Sequence, residues 1–299
     1  MNIVRYRHKG RELYGALDNN KVICLHELAQ RQGTELPESL KDFVTQGSQG
    51  IRTVEKMLEE AKKKEVDNVS SMISETTILA PIAFPPKILC LGLNYRDHAA
   101  EQNAAIPDEP IIFMKPHTTI IGPNDNIIKP SSVHQLDYEA ELTIIVGKEA
   151  KRVSVSRAES YIFGYTIMND VSARDVQFKD GQWTRGKSFD TFAPTGPWIT
   201  TVNQLKDTSD LSIRTWVNSK IRQDSTTRNM VFTVHEIIHH LSQVMTLKPN
   251  DIIATGTPSG VGVASKPKPM FLQSGDIVKI EIEGIGILQN RVTEDSQRS

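Results

Sequence analysis

The sequence predicts an α+β protein in which a small N-terminal α+β module, residues 1–78, precedes a larger, mostly β domain, residues 79–299. Two observations support this division. Residues before position 78 carry short strand-like runs followed by apolar positions at helical spacing. After a proline-rich stretch near residue 80, strand-like runs separated by glycine and proline dominate the chain.

The first module combines strands with a helix. The runs NIVRYRH, ELYGAL and KVICL predict short strands, with residues 18–20 as a tight turn. The charged segment IRTVEKMLEEAKKKEVD then predicts an amphipathic helix. Its apolar positions recur at helical spacing at Val54, Met57, Leu58 and Ala61.

The second domain is predicted to be rich in strands, with one clear helix. The strand-like runs are IIFMKP, ELTIIVG, IFGYTIMND, GPWITT, DIIATGTPSG and DIVKIEIEGIGIL. Thr233 followed by Glu236 predicts a capping box at the start of the helix. The expected buried stripe of this helix consists of Ile237, Ile238, Leu241, Val244 and Met245.

Composition excludes several classes of function. Lysine plus arginine (35) balances aspartate plus glutamate (36), so no global charge favours binding to nucleic acid. No apolar run approaches the ~20 residues that cross a bilayer, and the opening residues lack a signal-peptide pattern. Cys24 and Cys90 lie in apolar runs and are expected to be buried free thiols. We therefore expect a cytoplasmic protein that does not interact with membranes or nucleic acid.

A carboxylate pair is the sharpest local signal. Glu139 and Glu141 point to one side of a predicted strand, since side chains alternate along a strand. Spacing alone favours a solvated strand face, and a site for a hard divalent cation is the alternative. Asp170, at the end of another apolar strand, is a candidate third ligand or a simple cap.

Three further segments carry candidate site residues. In DHAAE, His98 and Glu101 are spaced i, i+3, which suits either a general base with its orienting carboxylate or a surface pair. Arg174, Gln177 and Lys187 follow Asp170 closely, as in an anion site or an ion-pair cluster. The glycine-rich run TGTPSGVG suits backbone amides that approach an anion, or a plain turn, and it matches no nucleotide-binding motif.

Taken together, these segments resemble the fumarylacetoacetate hydrolase family. The resemblance runs from about residue 82 to residue 289, in the order GLNYRDHAAE, IIFMKP, LDYEAEL, GYTIMNDVSARDVQ, GKSFD, VNSKIRQDSTTRNMVF, DIIATGTPSGVG and SGDIVKIEIEGIG. It implies a mixed β-roll catalytic domain, a homodimer, and a metal held by Glu139, Glu141 and Asp170. It also implies catalytic roles for His98, Glu101 and Lys187, and substrate-binding roles for Arg174, Gln177, Lys187 and Thr257.

The chemistry implied by the resemblance is that of a small 2-oxo acid bound with Mg²⁺ or Mn²⁺. The N-terminal module and the insertion KPKPMFLQSGD resemble a bacterial branch that includes oxaloacetate decarboxylases, so oxaloacetate decarboxylation, with or without keto–enol tautomerisation, is the first expectation. Hydrolysis of an acylpyruvate, isomerisation of a hydroxymuconate, and a catalytically silent metal-binding relative are the alternatives. His117 stands where many relatives have serine, and would add a titratable donor if it faced the pocket.

Overall fold

The expected mixed, mostly β architecture is confirmed in a computed structural model, which describes residues 1–63 and 69–295. The strands of these residues form one sheet of twelve strands, one of five and one of two. Within the described residues, no helix is long and apolar enough to cross a membrane.

The strands follow one another along the whole described chain. They are β1 (Asn2–His8), β2 (Arg11–Asp18), β3 (Lys21–Cys24), β4 (Ser70–Met72), β5 (Thr77–Ile78), β6 (Ile88–Gly92), β7 (Ile111–Lys115), β8 (Ile120–Ile121), β9 (Asn126–Lys129), β10 (Leu136–Asp137), β11 (Ala140–Val146), β12 (Ile162–Asn169), β13 (Ser172–Ala173), β14 (Ala193–Thr201), β15 (Ser212–Val217), β16 (Lys220–Thr226), β17 (Ile252–Ala254), β18 (Ile277–Ile282) and β19 (Gly286–Glu294).

The helices are fewer and mostly short. They are α1 (Leu25–Gln32), α2 (Leu40–Thr45), α3 (Gly47–Lys63), α4 (Arg96–Glu101), α5 (Arg174–Gln177), α6 (Thr184–Lys187) and α7 (Val234–Val244). Single 3₁₀ turns or short 3₁₀ segments occur at Ile73–Glu75, His117–Thr119, Val155–Tyr161, Thr227–Asn229 and Gly262–Ala264.

The strands of the N-terminal part join the large sheet, whose order is β4-β3-β2-β1-β14-β12-β11-β17-β6-β7. The junction is the antiparallel pair β1–β14, in which Asn2 lies opposite Thr200. The tight turn predicted at residues 18–20 joins β2 to β3. The division into modules at residues 1–78 and 79–299 stays a prediction.

The two predicted amphipathic helices are present. In α3, Val54, Met57 and Ala61 are buried, and the part of the predicted helix at residues 64–67 lies outside the described residues. In α7, Thr233 and Glu236 form the predicted capping box. The prediction for Val244 is wrong, because its side chain is 70% exposed in the last turn. Helical periodicity predicts which face of a helix is buried, but not how far along the helix neighbouring elements cover that face.

Strand β11 lies at the centre of the large sheet, between β12 and β17, and every one of its residues is buried. Ile145 packs in one apolar cluster with Phe43 and Ile51 of helices α2 and α3. Leu142 and Ile144 pack in another with residues of α7 and of the five-stranded sheet. Both faces of β11 are therefore covered, which decides the environment of the carboxylates at its start. The thiols of Cys24 and Cys90 are free and buried, as predicted.

Candidate metal centre and active site

The pairing of β11 with β12 brings the three predicted carboxylates together. Ala140 lies opposite Asn169, and the amide of Asp170 donates to the carbonyl of Glu139 at 2.9 Å. Glu139 and Glu141 project to the same side, because they are two residues apart on an extended chain. One ligand atom from each of Glu139, Glu141 and Asp170 lies within 4.8 Å of the others, and all three residues are buried.

Three cations surround this cluster. Nζ of Lys187 lies 2.8 Å from Glu139 and 2.7 Å from Asp170. Nζ of Lys115 lies 2.5 Å from Asp170, and Nη2 of Arg174 lies 2.7 Å from Glu139. Each of these cations pairs with at least one buried carboxylate, and Arg174 pairs with Asp137 as well, which is the condition under which buried charges are tolerated.

The two glutamates respond differently to this environment. Burial alone would raise the pKa of Glu139, but Lys187 and Arg174 outweigh it and lower that pKa to about 2. Burial, together with the charges of Asp170 and Glu139, raises the pKa of Glu141 well above its ordinary value. Glu141 lacks a cationic partner of its own among the described residues.

The cluster fits a hard divalent cation. Oε2 of Glu141 accepts from the amide of Gly256 at 2.8 Å, whereas its buried Oε1 has no hydrogen-bond partner among the described residues. A buried carboxylate oxygen without a hydrogen-bond partner is costly, and a cation bound by the three carboxylates would remove that cost. Carboxylate oxygens are the ligands that Mg²⁺ and Mn²⁺ prefer, so the donor set could hold either ion.

His98 and Glu101 lie on helix α4 beside the cluster. Nδ1 of His98 lies 3.4 Å from Oε2 of Glu101, and Oε1 of Glu101 accepts from the amide of Gly260 at 2.9 Å. The amide nitrogen of Gln102 donates to Nε2 of His98 at 2.8 Å. Because Nε2 accepts there, the proton of the neutral ring is on Nδ1 and faces Glu101.

A cavity of about 80 Å³ borders Glu139 and is lined by all of the predicted substrate-binding residues. Its lining includes Arg174, Gln177, Lys187 and Thr257, together with His98 and Glu139. One ordered water needs at least roughly 10–15 Å³ of such space, so the cavity has room for several waters or for a small ligand. The structure thus brings the predicted site residues together around a space suited to a small molecule.

Arg174 is held in place by hydrogen bonds to Asp137 and Gln177. Its Nε donates to Oδ2 of Asp137 at 2.9 Å, and its Nη1 donates to Oε1 of Gln177 at 2.9 Å. Asp137 is fully buried and also accepts from the amides of Tyr138, Gly262 and Val263. The guanidinium is therefore oriented before any ligand arrives.

An aromatic wall closes one side of the cavity. The rings of Phe113 and Trp183 meet edge to face at 5.7 Å, and Nζ of Lys187 lies 4.9 Å from the centre of the Phe113 ring. The Trp183 ring lies so close to Gly92 that a Cβ on that residue would come within 2.0 Å of it. The Trp183 ring can pack against β6 only because residue 92 has no side chain.

The glycine-rich loop after β17 binds the protein's own carboxylates through its amides. Gly256 donates to Glu141, Gly260 to Glu101, and Gly262 to Asp137. Gly260 has φ +100°, and a Cβ there would come within 2.1 Å of the carbonyl of Arg222. Only a glycine allows the loop to pass this close to β16.

Three residues of the site were not predicted from the sequence, and one residue considered for the site, His117, lies outside it. Lys115, Asp137 and Trp183 have no local motif, although Lys115 shares a strand face with Phe113. His117 does not line the cavity that borders Glu139: it is exposed, and its ring contacts that of Phe84 at 5.7 Å. The titratable donor considered for position 117 is therefore absent from this cavity, because the chain turns outward after β7.

Comparison with known proteins identifies relatives over most of the chain. A family model described as fumarylacetoacetate (FAA) hydrolase, C-terminal, matches residues 87–293. A mitochondrial oxaloacetate tautomerase of Bos taurus, FAHD2A, is 44% identical over 259 residues, which cover 86% of this chain and 80% of that protein.

Solved structures resemble the whole fold. A 2-hydroxyhepta-2,4-diene-1,7-dioate isomerase from Mycobacterium marinum is 35% identical, with a TM-score of 0.75 over 99% of this chain and 100% of that one. A maleylpyruvate hydrolase from Sphingobium sp. SYK-6, solved with manganese(II) and pyruvate, is 27% identical, with a TM-score of 0.80 and the same coverage. The expected fold type is thereby confirmed, and a relative with this fold binds a divalent metal.

Proposed function

This chain belongs to the fumarylacetoacetate hydrolase family, and on that premise we propose that it is a metal-dependent tautomerase of oxaloacetate. The observation that carries the proposal is the buried cluster of Glu139, Glu141 and Asp170, of which Glu139 lines a small cavity together with His98, the partner of Glu101. The named activity of the bovine relative, at 44% identity, supports the choice among the reactions of small oxo acids.

Glu139, Glu141 and Asp170 would hold Mg²⁺ or Mn²⁺. When bound, the ion supplies a Lewis acid that favours negative charge on the oxygens of a 2-oxo acid. The manganese of the Sphingobium relative supports the metal, and the choice between the two ions belongs to the proposal.

The charges of the site favour an anionic ligand. Counted with Asp137, which also pairs with Arg174, four carboxylates face the three cations Lys115, Arg174 and Lys187. A divalent ion added to this cluster would leave an excess of positive charge, which the carboxylates of oxaloacetate would balance. Arg174, Gln177, Lys187 and Thr257, which line the cavity, would bind these carboxylates.

His98 would move the proton that tautomerisation requires. With Nδ1 protonated toward Glu101, the free acceptor of the ring is Nε2, which meets Gln102 in the structure. A substrate in the cavity takes the place of Gln102, and Nε2 then accepts a proton from carbon 3 of the keto form. Glu101, held by the amide of Gly260, stabilises the imidazolium, which then gives that proton to the oxygen on carbon 2 to form the enol and returns to the same tautomer.

The cavity is better suited to proton transfer than to hydrolysis. Hydrolysis needs space for an attacking water beside both halves of the substrate, whereas tautomerisation breaks no bond between heavy atoms. The cavity of about 80 Å³ is small, which favours the reaction that needs no additional water. Decarboxylation, the reaction first expected from the sequence, also fits this space and stays a prediction, as does a homodimeric, cytoplasmic protein.

The test follows enol and keto oxaloacetate by ultraviolet absorbance while pyruvate is measured in the same sample. We expect the protein, supplied with Mg²⁺ or Mn²⁺, to interconvert the keto and enol forms of oxaloacetate much faster than the metal ion alone does. Pyruvate should not form at a matching rate. His98→Gln should abolish this acceleration, whereas the control His117→Gln, altered at an exposed histidine, should retain it. If pyruvate forms at the rate at which oxaloacetate disappears, the activity is decarboxylation and not tautomerisation. No acceleration of either reaction would refute the proposal.

A further inference from the structure

The loop that carries Thr257 is fastened to strand β16 by one buried side chain. Gln223 is fully buried, and its Nε2 donates to Oγ1 of Thr257 at 2.8 Å and to the carbonyl of Pro258 at 2.9 Å. Its Oε1 accepts from the amide of Ala140 at 3.1 Å and from the hydroxyl of Thr215 at 2.8 Å. All four hydrogen-bonding positions of this amide are thus occupied.

The backbone partners fix which way the Gln223 amide points. The amide of Ala140 can only donate, so the atom that faces it is the oxygen. The carbonyl of Pro258 can only accept, so the atom that faces it is the nitrogen. If the side-chain amide were rotated by 180°, its nitrogen would face the Ala140 donor and its oxygen would face the Pro258 acceptor, so both hydrogen bonds would be lost.

This orientation decides the polarity of the Thr257 hydroxyl. Because the nitrogen of Gln223 donates to Oγ1, the hydroxyl accepts there and keeps its own hydrogen for another partner. No described residue accepts that hydrogen, and Thr257 lines the cavity. The hydroxyl is therefore left as a donor toward whatever oxygen occupies the cavity.

We infer that Gln223 is a positioning residue that holds the Thr257 hydroxyl as a hydrogen-bond donor to an anionic oxygen of the substrate. The inference rests on the proposed function, in which Thr257 binds a carboxylate of a 2-oxo acid. Gln223 also grips Ala140, which stands between Glu139 and Glu141. One amide therefore sets the distance between the strand of carboxylates and the donor that faces the ligand.

The test is a double-mutant cycle between Gln223→Glu and Thr257→Val. Glutamate has the shape of glutamine but, when ionised, only accepts hydrogen bonds, so it draws the Thr257 hydrogen away from the cavity. Valine keeps the shape of threonine and removes the hydroxyl. Oxalate, a small dianion, is the probe: its Kd is measured by calorimetry on Mg²⁺-loaded protein, with the same Mg²⁺ in the cell and the syringe.

We expect each single substitution to weaken oxalate binding about tenfold, the worth of one hydrogen bond to a charged group. The double variant should bind no more weakly than the weaker single variant, because both changes remove the same donor. Thr215→Val is the matched control, since it removes a different hydrogen bond from Gln223 and leaves the Ala140 and Pro258 contacts. Its Kd should stay within about twofold of the wild type.

Effects that multiply to about a hundredfold in the double variant would overturn the inference, because the two residues would then act separately. An unchanged Kd in Gln223→Glu, or an equal loss in Thr215→Val, would also overturn it. If Gln223→Glu fails to fold, as judged by thermal unfolding, Gln223→Met enters the cycle in its place. Methionine removes the donor that fixes the Thr257 hydroxyl, so weaker oxalate binding is again expected, with no further loss in the double variant. A wild type that binds oxalate without tautomerising oxaloacetate refutes the proposed function alone, and one that binds no oxalate refutes the inference.

Discussion

Replacing Asp137 by asparagine removes one buried charge and almost no volume. Oδ1 of Asp137 accepts from the amides of Tyr138 and Gly262 at 2.9 and 2.7 Å. Oδ2 accepts from Nε of Arg174 and the amide of Val263 at 2.9 and 3.0 Å. Asparagine has one oxygen and one NH₂ group, so in either orientation two of these donors lose their acceptor and face another donor.

The magnitude follows from these four contacts. Two buried donors left without an acceptor cost about 1–3 kcal/mol each. Arg174 also loses one of its two carboxylate partners, and removing one member of a buried ion pair costs about 3–5 kcal/mol. The two estimates describe the same loss and are not summed, so we expect the free energy of unfolding to fall by about 4 kcal/mol.

Urea denaturation followed by circular dichroism measures this change, with Asp180→Asn as the matched control. Asp180 also forms a two-point ion pair with an arginine, Arg185, but the pair lies on the surface. Surface pairs contribute little because water screens them, so this control should unfold like the wild type. A loss in Asp137→Asn of less than about 1 kcal/mol would refute the view that Asp137 is the buried anchor of Arg174.

Three further predictions concern the wall, the metal and a helix cap. Gly92→Ala should raise KM for oxaloacetate, because its Cβ would come within 2.0 Å of the Trp183 ring; an unchanged KM would show that the wall does not shape the cavity. Glu141→Gln should lower the metal content of the purified protein, measured by mass spectrometry, and an unchanged content would contradict the metal assignment. Hydrogen bonds from Thr233 outweigh burial and lower the pKa of Glu236, so its stabilising effect is complete above the unfolded value of 4.5 and is lost as the pH falls through the lower folded value. The difference in unfolding midpoint between wild type and Glu236→Gln should therefore shrink in acid, and a difference that grows there would refute this reasoning.

Local patterns predicted the parts of the fold that local physics decides. Alternating and continuous apolar runs located β1, β7, β11 and β12 within a residue or two, and the capping box located the start of α7. The pairing of β1 with β14 joins residues about two hundred positions apart, and no local pattern encodes it. The exposed Val244 shows the same limit for a single helix.

The sequence predicted the carboxylates of the candidate site better than the residues that hold the site together. Spacing alone favoured a solvated face for Glu139 and Glu141, because a two-residue repeat does not tell whether water or protein covers a strand. The structure buries both residues, since β11 has a strand on each side and packed layers above and below. Lys115 and Asp137 come from distant strands, and their contacts with Asp170 and Arg174 depend on sheet order.

The glycine-rich loop after β17 links three separate parts of the candidate site. Its amides reach Glu141 in the carboxylate cluster, Glu101 behind His98, and Asp137 behind Arg174. A backbone amide has one hydrogen and a fixed direction, so each contact fixes the position of its carboxylate. A displacement of this loop would disturb the proposed metal ligand, proton carrier and anion-binding arginine together. The sequence of the loop suits either an anion-binding site or a plain turn, and the anions that its amides bind in the structure are carboxylates of the protein itself.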